Sequence, residues 1–450
     1  MERNYSFTES HFPASSTPAN DMPFGRLIHY TVQGLFGVFT HTFHLERDEP
    51  TILTGANGTG KSTILRTIHL VSQGKWDELA KITFEKIRLH FEFADIIIVS
   101  GGDNLTIRYE GLDSPRTEWT YSDKSDLSAR EIHALQNMLV RAQIPEENID
   151  WARDSYLREV AGYLASGDNP KRPEWVAEIS ESFLALLVSD RRLTDNSRRV
   201  RAKKRGQGET IEYISAIEAA FSNVDEEVQR ARSAYASVSQ EMDRNFPKRV
   251  LHAMRTRDLR GEEGWLRSTQ RNFEKLVHLQ RGLSDTGLVH AAEIEYPFSD
   301  ITDETTAALP FIHVYLEDTL AKLRTFQPLR ERLDPFITFL RRHYRNKKIA
   351  IQDGHLRIES SLTEEEIHPT HLSSGEQQIL ILAHKVLFET APGTLLMIDE
   401  PELSLHVLWQ ATFIDDLTEM SSVTGCQFLL ATHSPTLIAG RNDLRRSLDG

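Results

Sequence analysis

The sequence predicts an α/β protein whose mixed sheet, with antiparallel strands near the N-terminus, is interrupted by a helical insertion. Three observations carry this prediction. Residues 26–121 are rich in strand-like stretches, residues 208–246 repeat apolar side chains at helical spacing, and residues 346–450 alternate between the two patterns. With 450 residues, 39% of them hydrophobic, the chain can bury a large core in two or three structural units.

Composition limits the classes of function. The formal net charge is −14, so any contact with nucleic acid or an acidic membrane needs a local basic patch. Cys426 is the one cysteine, which rules out an intramolecular disulfide and fits a reducing cytoplasm. No apolar run approaches the roughly 20 residues of a membrane span. Residues 1–25 lack the pattern of a secretion signal and are predicted to form a disordered leader.

Two strand-rich segments flank a helical middle. The N-terminal strands are predicted from the stretches LIHYTVQGLFGVFTHTFHL, TILT, IRLHFEFADIIIV and LTIRYEG. Helical patterns follow over residues 126–185, and LALLVS predicts one more short strand. Residues 348–358 predict a β-hairpin, with Asp353-Gly354 as its tight turn.

The insertion carries a regular apolar seam with steps of three and four residues, which is helix periodicity with a coiled-coil character. Its members are Ile211, Ile214, Ile217, Phe221, Val224, Val228, Ala231, Tyr235, Val238 and Met242. More helices are predicted over 265–279 and 310–344. Two architectures fit: a subdomain that packs on itself, or a protruding antiparallel arm. A zinc-hooked arm is excluded because the chain has no CxxC.

Residues 55–62, GANGTGKS, match the phosphate-binding pattern G-x-x-x-x-G-K-[ST] between a short strand and a helix. Glycines let backbone N–H groups turn toward phosphate oxygens, and the helix N-terminus adds positive potential. Lys61 is expected at the β- and γ-phosphates, and the Ser62 hydroxyl on Mg²⁺. The predicted nucleotide-binding residues here are Gly55, Asn57, Gly58, Gly60, Lys61, Ser62 and Thr63.

The apolar strand LLMIDE ends in two carboxylates. Asp399 is expected to hold the Mg²⁺ shell, and Glu400 to polarise the water that attacks the γ-phosphate. An acidic pair after a strand is a weak signal alone, because most such pairs are solvated loop charges. A phosphate loop in the same chain makes it specific.

The stretch FLLATHSP places His433 just past another apolar strand. Ligands in open α/β sheets bind beyond the carboxyl ends of the strands, so His433 is expected beside Glu400 and the γ-phosphate. A lone histidine is more often structural, but this position favours a functional one.

A second glycine-bearing turn, LSSGEQQ, begins at Leu372 and runs into an apolar helical segment, which makes it a further anion site. The order of phosphate loop, LSSGEQQ, strand-Asp-Glu and strand-His resembles that of ABC-type ATPases in their SMC-like branch. Their signature turn is written L-S-G-G-Q. Ser373 and Gly375 match it, whereas Ser374 and Glu376 depart from it.

The phrase DEPELSLH followed by ATHSP is similar to the OLD-like ATPases, many of which belong to bacterial phage-defence systems. The resemblance covers residues 26–125 and 346–450, and matches the helical middle only in its location. It implies a P-loop NTPase fold of the ABC-type ATPase head. The expected organisation is a leader (1–25), a first lobe (26–193), a helical insertion or arm (194–345) and a second lobe (346–450).

The resemblance also implies that ATP binds between two protomers arranged head to tail. Ser373 and Gly375 would then contact the γ-phosphate of the neighbouring protomer's ATP, and Ser404 would lie in a loop that crosses the interface. In this family an N-terminal aromatic often stacks on adenine, and both Phe36 and Phe39 remain open for this role. The family's glutamine loop is expected after LALLVS, but no glutamine follows there, so that role is unassigned.

A basic run begins the insertion, from Arg191 to Arg205. It is either a solvated loop or a contact for DNA phosphates or an acidic protein. Aromatic side chains are absent from it, so base stacking is not indicated.

The resemblance favours a sensor or regulatory ATPase subunit of an anti-phage defence system. OLD proteins proper fuse the ATPase to a Toprim nuclease. Only about a dozen residues follow ATHSPTLI here, so a separate effector chain is expected, of Toprim type, as in PARIS-type systems. The alternative is a DNA-repair ATPase of the SMC or RecN kind, although its arms would need hundreds of heptad residues. A transporter ATPase is disfavoured because its signature turn follows the phosphate loop much sooner.

Overall fold

The computed structural model of the protein describes residues 24–102, 104–111, 116–122, 172–188, 198–199, 213–255, 262–290, 303–403 and 407–449. Several predictions fall outside the described residues. They concern most of the leader, the helices over 126–171, Ser404, and the basic run apart from the backbone of Arg198–Arg199.

In chain order the strands are β1 (Leu27–Leu35), β2 (Phe39–His44), β3 (Thr51–Thr54), β4 (Lys86–Phe91), β5 (Ala94–Ser100), β6 (Asn104–Gly111), β7 (Thr117–Ser122), β8 (Ala185–Val188), β9 (Arg198–Arg199), β10 (Tyr213–Ile214), β11 (Lys347–Gln352), β12 (His355–Ser360), β13 (Leu395–Asp399), β14 (Gln427–Ala431) and β15 (Arg445–Ser447). The helices are α1 (Lys61–Ser72), α2 (Trp76–Ala80), α3 (Glu174–Ser182), α4 (Ala216–Arg255), α5 (Glu262–Asp285), α6 (Asp303–Arg324), α7 (Gln327–His343), α8 (Ser374–His384), α9 (Val407–Gln410), α10 (Phe413–Thr424) and α11 (Pro435–Ile438).

The described parts of residues 1–189, 391–403 and 410–450 form one compact unit. It contains a parallel sheet of five strands in the order β15-β3-β14-β13-β8. Strands β3, β13 and β14 are buried, mostly apolar runs, as expected for parallel strands covered on both faces. Because the strands run the same way, their carboxyl ends share one edge of the sheet. The phosphate loop, the acidic pair and His433 all follow strands at that edge.

A second sheet in this unit is antiparallel, in the order β2-β1-β4-β5-β6-β7. Its side chains alternate between the two faces, so Tyr30, Val32 and Leu89 are buried while His29 and Arg88 are exposed. One core cluster joins its buried side chains with those of α1 and the parallel sheet. The structure confirms the predicted α/β P-loop ATPase fold, and it distributes the strands of the predicted mixed sheet over these two sheets.

The described parts of residues 190–390 and 404–409 form a second compact unit, in which helices predominate. Helix α4 buries Ile217, Val224, Val228 and Ala231 of the predicted seam, and α6 packs on both α4 and α5. Helices pack on one another in a self-packed subdomain and in a protruding antiparallel arm alike, so both predicted architectures fit this packing. The helical stretch predicted over 310–344 lies in two helices, because the chain turns between α6 and α7.

The predicted hairpin is β11–β12, with Gln352 paired to His355 across a two-residue turn. Asp353 and Gly354 both have positive φ angles, 53° and 88°, as a type I′ turn requires. Asp225 of α4 accepts a hydrogen bond from the Leu356 N–H at 2.7 Å, which fixes the hairpin to that helix.

The two compact units divide the chain differently from the predicted lobes. Residues 346–390, which contain the hairpin and the LSSGEQQ turn, group with the helical unit rather than with the strands that follow residue 391. Within the described ranges, no helix has both the length and the apolar character needed to cross a membrane.

Candidate functional site

The phosphate loop connects β3 to α1 and depends on its glycines. Gly60, the residue before α1, has a φ of 96°, and a Cβ built on it would lie 2.6 Å from the Leu35 Cδ2 atom. Only glycine fits both restraints. The neighbouring Gly58 also has a positive φ, 86°, with open space around it. Ala56, Asn57 and Gly58 are exposed, so the tip of the loop is open to a ligand.

The Lys61 side chain lies against the loop that precedes it. The residue is 5% exposed, and its Nζ donates to the carbonyl oxygens of Gly55 at 2.9 Å and Ala56 at 3.1 Å. Burial lowers the pKa of Lys61, while the carboxylates of Glu400 and Asp449 act in the opposite direction. Phosphate oxygens are stronger acceptors for an ammonium group than neutral carbonyls, so this side chain is ready to exchange partners.

Ser62 and Asp399 join the start of α1 to the end of β13. The Ser62 hydroxyl donates to Asp399 Oδ1 at 3.0 Å. Burial raises the pKa of Asp399, although the Ser62 hydrogen bond acts against this rise. Hydroxyl and carboxylate oxygens are donors that Mg²⁺ accepts, together with phosphate oxygens and water. In the described part of the chain, no three His, Cys, Asp or Glu side chains form a metal group.

Glu400 follows β13 in an unusual backbone conformation. Its φ is 50°, a left-handed value that is uncommon for a residue with a side chain. Its N–H donates to the Ala431 carbonyl at 2.8 Å, which continues the pairing of β13 with β14 by one residue. The strained residue therefore lies at the carboxyl edge of the sheet, and it is half-buried.

Glu402 holds the segment that carries His433, a role that the sequence did not indicate. Its Oε1 accepts hydrogen bonds from the Thr432 hydroxyl at 2.7 Å and the His433 N–H at 2.9 Å. The Thr432 N–H in turn donates to the Leu53 carbonyl at 3.1 Å, on the strand that leads into the phosphate loop. The acidic turn, the histidine segment and β3 are therefore connected, with the His433 side chain exposed.

Two further contacts shape the phosphate loop. His41 Nε2 lies 2.9 Å from the Thr59 carbonyl, and the Asp449 carboxylate accepts the Ala56 N–H at 2.7 Å. Asp449 follows β15, so it reaches the same sheet edge as the other acidic residues. A position directly after a strand could have indicated Asp449 in the sequence. However, β15 has three residues, which are too few to be recognised as a strand.

The LSSGEQQ turn lies in the second unit, where Ser373 is the N-cap of α8. A capping box closes this helix start: Glu376 Oε2 accepts from the Ser373 N–H and hydroxyl, both at 2.9 Å, and the Glu376 N–H donates to Ser373 Oγ at 3.4 Å. Ser373 is exposed and Glu376 is buried. The turn is thus a well-formed helix N-terminus that begins with an exposed serine.

The structure brings one group of predicted residues together at the sheet edge of the first unit: Gly55, Asn57, Gly58, Gly60, Lys61, Ser62, Thr63, Asp399, Glu400 and His433. It places Ser373 and Gly375 in the second unit, at the start of α8. The aromatic candidates differ from each other. Phe36 is 46% exposed, whereas Phe39 packs against the core.

The chain is similar to known proteins at two levels, a sequence family and solved structures. The family model AAA_15, described as an AAA ATPase domain, matches residues 36–438. A comparison with curated protein sequences gives no match.

Among solved structures, the chain is similar to an SmcHead bound to the C-winged helix domain of ScpA, with 12% identity and a TM-score of 0.35, over 92% of this chain and 91% of that one. It is also similar to an Smc head domain with an extended coiled coil, bound to the C-terminal domain of ScpA derived from Pyrococcus furiosus. That match has 13% identity and a TM-score of 0.31, over 92% of this chain and 91% of that one.

The family match begins in the β1–β2 hairpin, ends in α11, and includes the phosphate loop, the LSSGEQQ turn, the acidic pair and His433. ATP binding and ATPase activity, which the sequence predicted, are thereby confirmed. The roles of individual site residues and of Mg²⁺ stay predictions. The chain belongs to the AAA_15 family of AAA ATPases, and it is an ATP-hydrolysing enzyme.

Proposed function

We propose that the protein is an ATP-controlled switch in which two protomers close head to tail around ATP. The observation that carries this proposal is the presence of two distinct anion-binding elements. One is the phosphate loop of the first unit, with Lys61 and the Ser62–Asp399 pair. The other is the capped start of α8 in the second unit, where Ser373 is an exposed residue. A head-to-tail pair gives each ATP one element from each protomer.

The residues of the phosphate loop bind and orient the nucleotide. The backbone N–H groups of residues 57–63 surround the β-phosphate, and Lys61 exchanges its carbonyl partners for phosphate oxygens. Ser62 and Asp399 would hold Mg²⁺, which spreads the negative charge of the phosphates when it is bound. Phe36 stacks on adenine in this proposal, because its exposed ring lies near the loop. A Cβ on Gly60 would be 3.5 Å from Phe36 Cε2.

Glu400 is the proposed general base. Its carboxylate takes a proton from water as the water oxygen forms a bond to the γ-phosphorus, and the bond from that phosphorus to the β,γ-bridging oxygen breaks. The positive φ of Glu400 supports this role, because strained residues are concentrated at functional sites. His433 contacts the γ-phosphate in this proposal. Its backbone N–H donates to Glu402, which holds the residue in place.

Glu400→Gln tests this proposal. The variant should bind ATP, lose turnover by about 100-fold or more, and accumulate as an ATP-dependent dimer in light scattering. Adding Lys61→Ala or Ser373→Arg should abolish the dimer, the first by preventing nucleotide binding and the second without preventing it. Glu241→Gln, at an exposed position on α4, is the matched control. Unchanged hydrolysis in Glu400→Gln, or a dimer that survives Ser373→Arg, would contradict the proposal.

For the cellular role, we propose that this ATPase is the sensor or regulatory subunit of an anti-phage defence system and controls a separate effector chain of the Toprim nuclease type. The likeness of DEPELSLH and ATHSP to OLD-like ATPases supports this role. Co-purification with the products of adjacent genes, with and without ATP and in the Glu400→Gln background, is the test. Recovery of an ATP-dependent nuclease partner supports the proposal. Recovery of DNA ends with no protein partner favours a repair ATPase of the RecN kind instead.

The basic run is the proposed contact for DNA or for an acidic phage protein. Eight cations lie between Arg191 and Arg205 in a chain of net charge −14, and such a local patch attracts polyanions. Neutralising Arg198, Arg199, Arg201, Lys203, Lys204 and Arg205 should weaken partner capture and reduce its salt dependence. Identical partners and an identical salt response in this variant would make the run a solvated loop.

A further inference from the structure

Glu376 places a negative charge directly beneath the proposed γ-phosphate contact. It is the third residue of α8, and only 9% of it is exposed. Burial pushes the pKa of Glu376 upward, but the hydrogen bonds from Lys347 and Ser373 outweigh it and bring the pKa below its usual value. The carboxylate is therefore ionised at neutral pH. A phosphate approaching Ser373 would meet this charge as well as the favourable helix N-terminus.

Lys347 supplies the opposite charge. Its Nζ donates to Glu376 Oε1 at 2.6 Å, and both side chains are largely buried, with 20% and 12% exposed. The ammonium also lies 5.9 Å from the centre of the Tyr344 ring. The Tyr344 hydroxyl donates to the Glu376 carbonyl at 2.7 Å, so the residue that borders the lysine also holds the backbone of α8. Tyr344, just after α7, and Lys347, the first residue of β11, thus both hold this one glutamate.

The two carboxylate oxygens of Glu376 have separate tasks. Oε1 faces Lys347, whereas Oε2 accepts from both the N–H and the hydroxyl of Ser373. The lysine can therefore compensate the charge without competing for the oxygen that orients the serine. In the family pattern L-S-G-G-Q a neutral glutamine stands at the position of Glu376, and it needs no compensating cation.

We propose that Lys347 is a positioning residue of the trans nucleotide site, and that the enzyme needs it because Glu376 is ionised. Lys347 cancels the charge beneath the γ-phosphate and keeps Glu376 in the geometry that presents Ser373. The inference rests on the proposed function, since it requires the α8 start to contact the nucleotide of a second protomer.

The test asks whether Glu376→Gln rescues the defect that Lys347→Met causes in dimerisation. In the Glu400→Gln background, Lys347→Met should weaken ATP-dependent dimerisation by about tenfold or more, because it leaves a buried carboxylate without its cation. ATP affinity of the dilute, monomeric protein should stay within about twofold, because the lysine acts only in the dimer. Glu376→Gln should restore dimerisation in the Lys347→Met protein to within about threefold of the parent, since a neutral amide still accepts a hydrogen bond from Ser373. With Glu400 intact, Lys347→Met should show the corresponding loss in ATP turnover.

Two controls separate charge compensation from folding. Lys347→Arg keeps the cation and should retain dimerisation, while Lys348→Met, at the exposed neighbouring position, should have no effect. A merely structural lysine would lower the melting temperature of Lys347→Met, but it would leave ATP-dependent dimerisation unchanged at a temperature where every variant is folded. Unchanged dimerisation in Lys347→Met, or absence of rescue by Glu376→Gln, overturns the inference. If Ser373→Arg also leaves the dimer intact, the proposed function fails; if Ser373→Arg abolishes the dimer, only the role of Lys347 fails.

Discussion

Asp399 ends β13, and Glu400 and Glu402 lie in the short turn after it, yet the surroundings of the three acids differ. Asp399 is bonded to the phosphate loop through Ser62, and Glu400 adopts a left-handed backbone at the strand end. Glu402 turns toward β14, where it accepts from Thr432 and from the His433 N–H. At the scale of single residues, neighbouring acids of the same chemistry can therefore serve metal binding, proton transfer and positioning.

Glu402→Ala should lower kcat by about 10- to 100-fold, because small displacements of reacting groups cost that much in rate. ATP affinity should change by less than about threefold, since the hydrogen bonds of the Glu402 carboxylate go to Thr432 and to the His433 N–H rather than to the phosphate loop. Glu402→Gln, which keeps an acceptor for the two donors, is the matched control and should lose less. Steady-state ATPase assays and nucleotide titrations measure both quantities. Full turnover in Glu402→Ala would show that His433 needs no such support.

At this scale, sequence reasoning could predict residues where a local motif indicates the chemistry, and their individual roles stay predictions. Lys61, Ser62 and Asp399 were identified because glycine spacing and an apolar strand before an acidic pair are local signals. Glu402 was part of the quoted DEPE phrase but received no role, because its partners Thr432 and His433 are about 30 residues away along the chain. Spacing along the chain carries no information about such hydrogen bonds.

At the scale of elements, three histidines form a row across the outer face of the antiparallel sheet. His44 on β2, His29 on β1 and His90 on β4 are paired in register, and the His29 ring centre lies 4.7 Å from that of His44 and 5.9 Å from that of His90. Asp95 on β5 binds both His90 and Arg88, which leaves His29 without a carboxylate partner in the row. Protonation of His29 therefore adds a positive charge that no carboxylate in the row compensates.

This row predicts a loss of stability in mild acid. Although His29 is exposed by surface area, partial desolvation of its imidazole lowers its pKa most, and His44 and His90 lower it further. A base whose folded-state pKa lies below its unfolded value binds the proton more tightly when unfolded, so stability falls as the pH drops below the unfolded value of about 6.5. His29→Gln should therefore flatten the decline in melting temperature between about pH 7 and pH 5. His278→Gln, exposed on α5, is the control, and equal slopes in all three proteins would contradict the prediction.

The packing of the β11–β12 hairpin against the end of α5 gives a second prediction for elements. Gly287 has a φ of 82°, and a Cβ there would lie 2.0 Å from the backbone oxygen of Ile351. Gly287→Ala should cost about 1 kcal/mol for the left-handed backbone and about 2 kcal/mol more for the clash. At Gly354, whose φ is 88°, the atoms nearest to an added Cβ are the ends of the Arg232 and Gln229 side chains. Gly354→Ala should therefore lower the free energy of unfolding by less. Melting curves of the two variants measure this difference in stability. Equal losses of stability in both variants would mean that the hairpin shifts to relieve the clash at Gly287.

Elements were predictable from the sequence in proportion to their local signals. The hairpin turn at Asp353-Gly354 and the buried strands β3, β13 and β14 follow from turn chemistry and apolar runs. The grouping of residues 346–390 with the helical unit did not follow, because it depends on long-range contacts such as that between Asp225 and the Leu356 N–H. The two-strand pair β9–β10 was also missed, since two residues are too few to show an alternating pattern.

At the scale of the whole molecule, the proposal makes one site out of two protomers. The phosphate loop supplies Lys61, and the start of α8 supplies Ser373 to the neighbouring nucleotide. Under this proposal, the buried Glu376–Lys347 pair acts on a reaction at another protomer's ATP. We expect ATP to close the interface and hydrolysis at Glu400 to open it.

Mixing two inactive variants tests this central claim most directly. Lys61→Ala and Ser373→Arg should each be inactive alone, because every site lacks one of its two contributions. In an equimolar mixture the mixed pairs have one intact site out of two, so ATPase activity should return, to at most about half of the wild-type value. Mixing Lys61→Ala with a Lys61→Ala/Ser373→Arg double variant is the matched control and should restore nothing. A mixture of the two single variants that stays inactive, although size measurements show that mixed dimers form, would contradict the shared site.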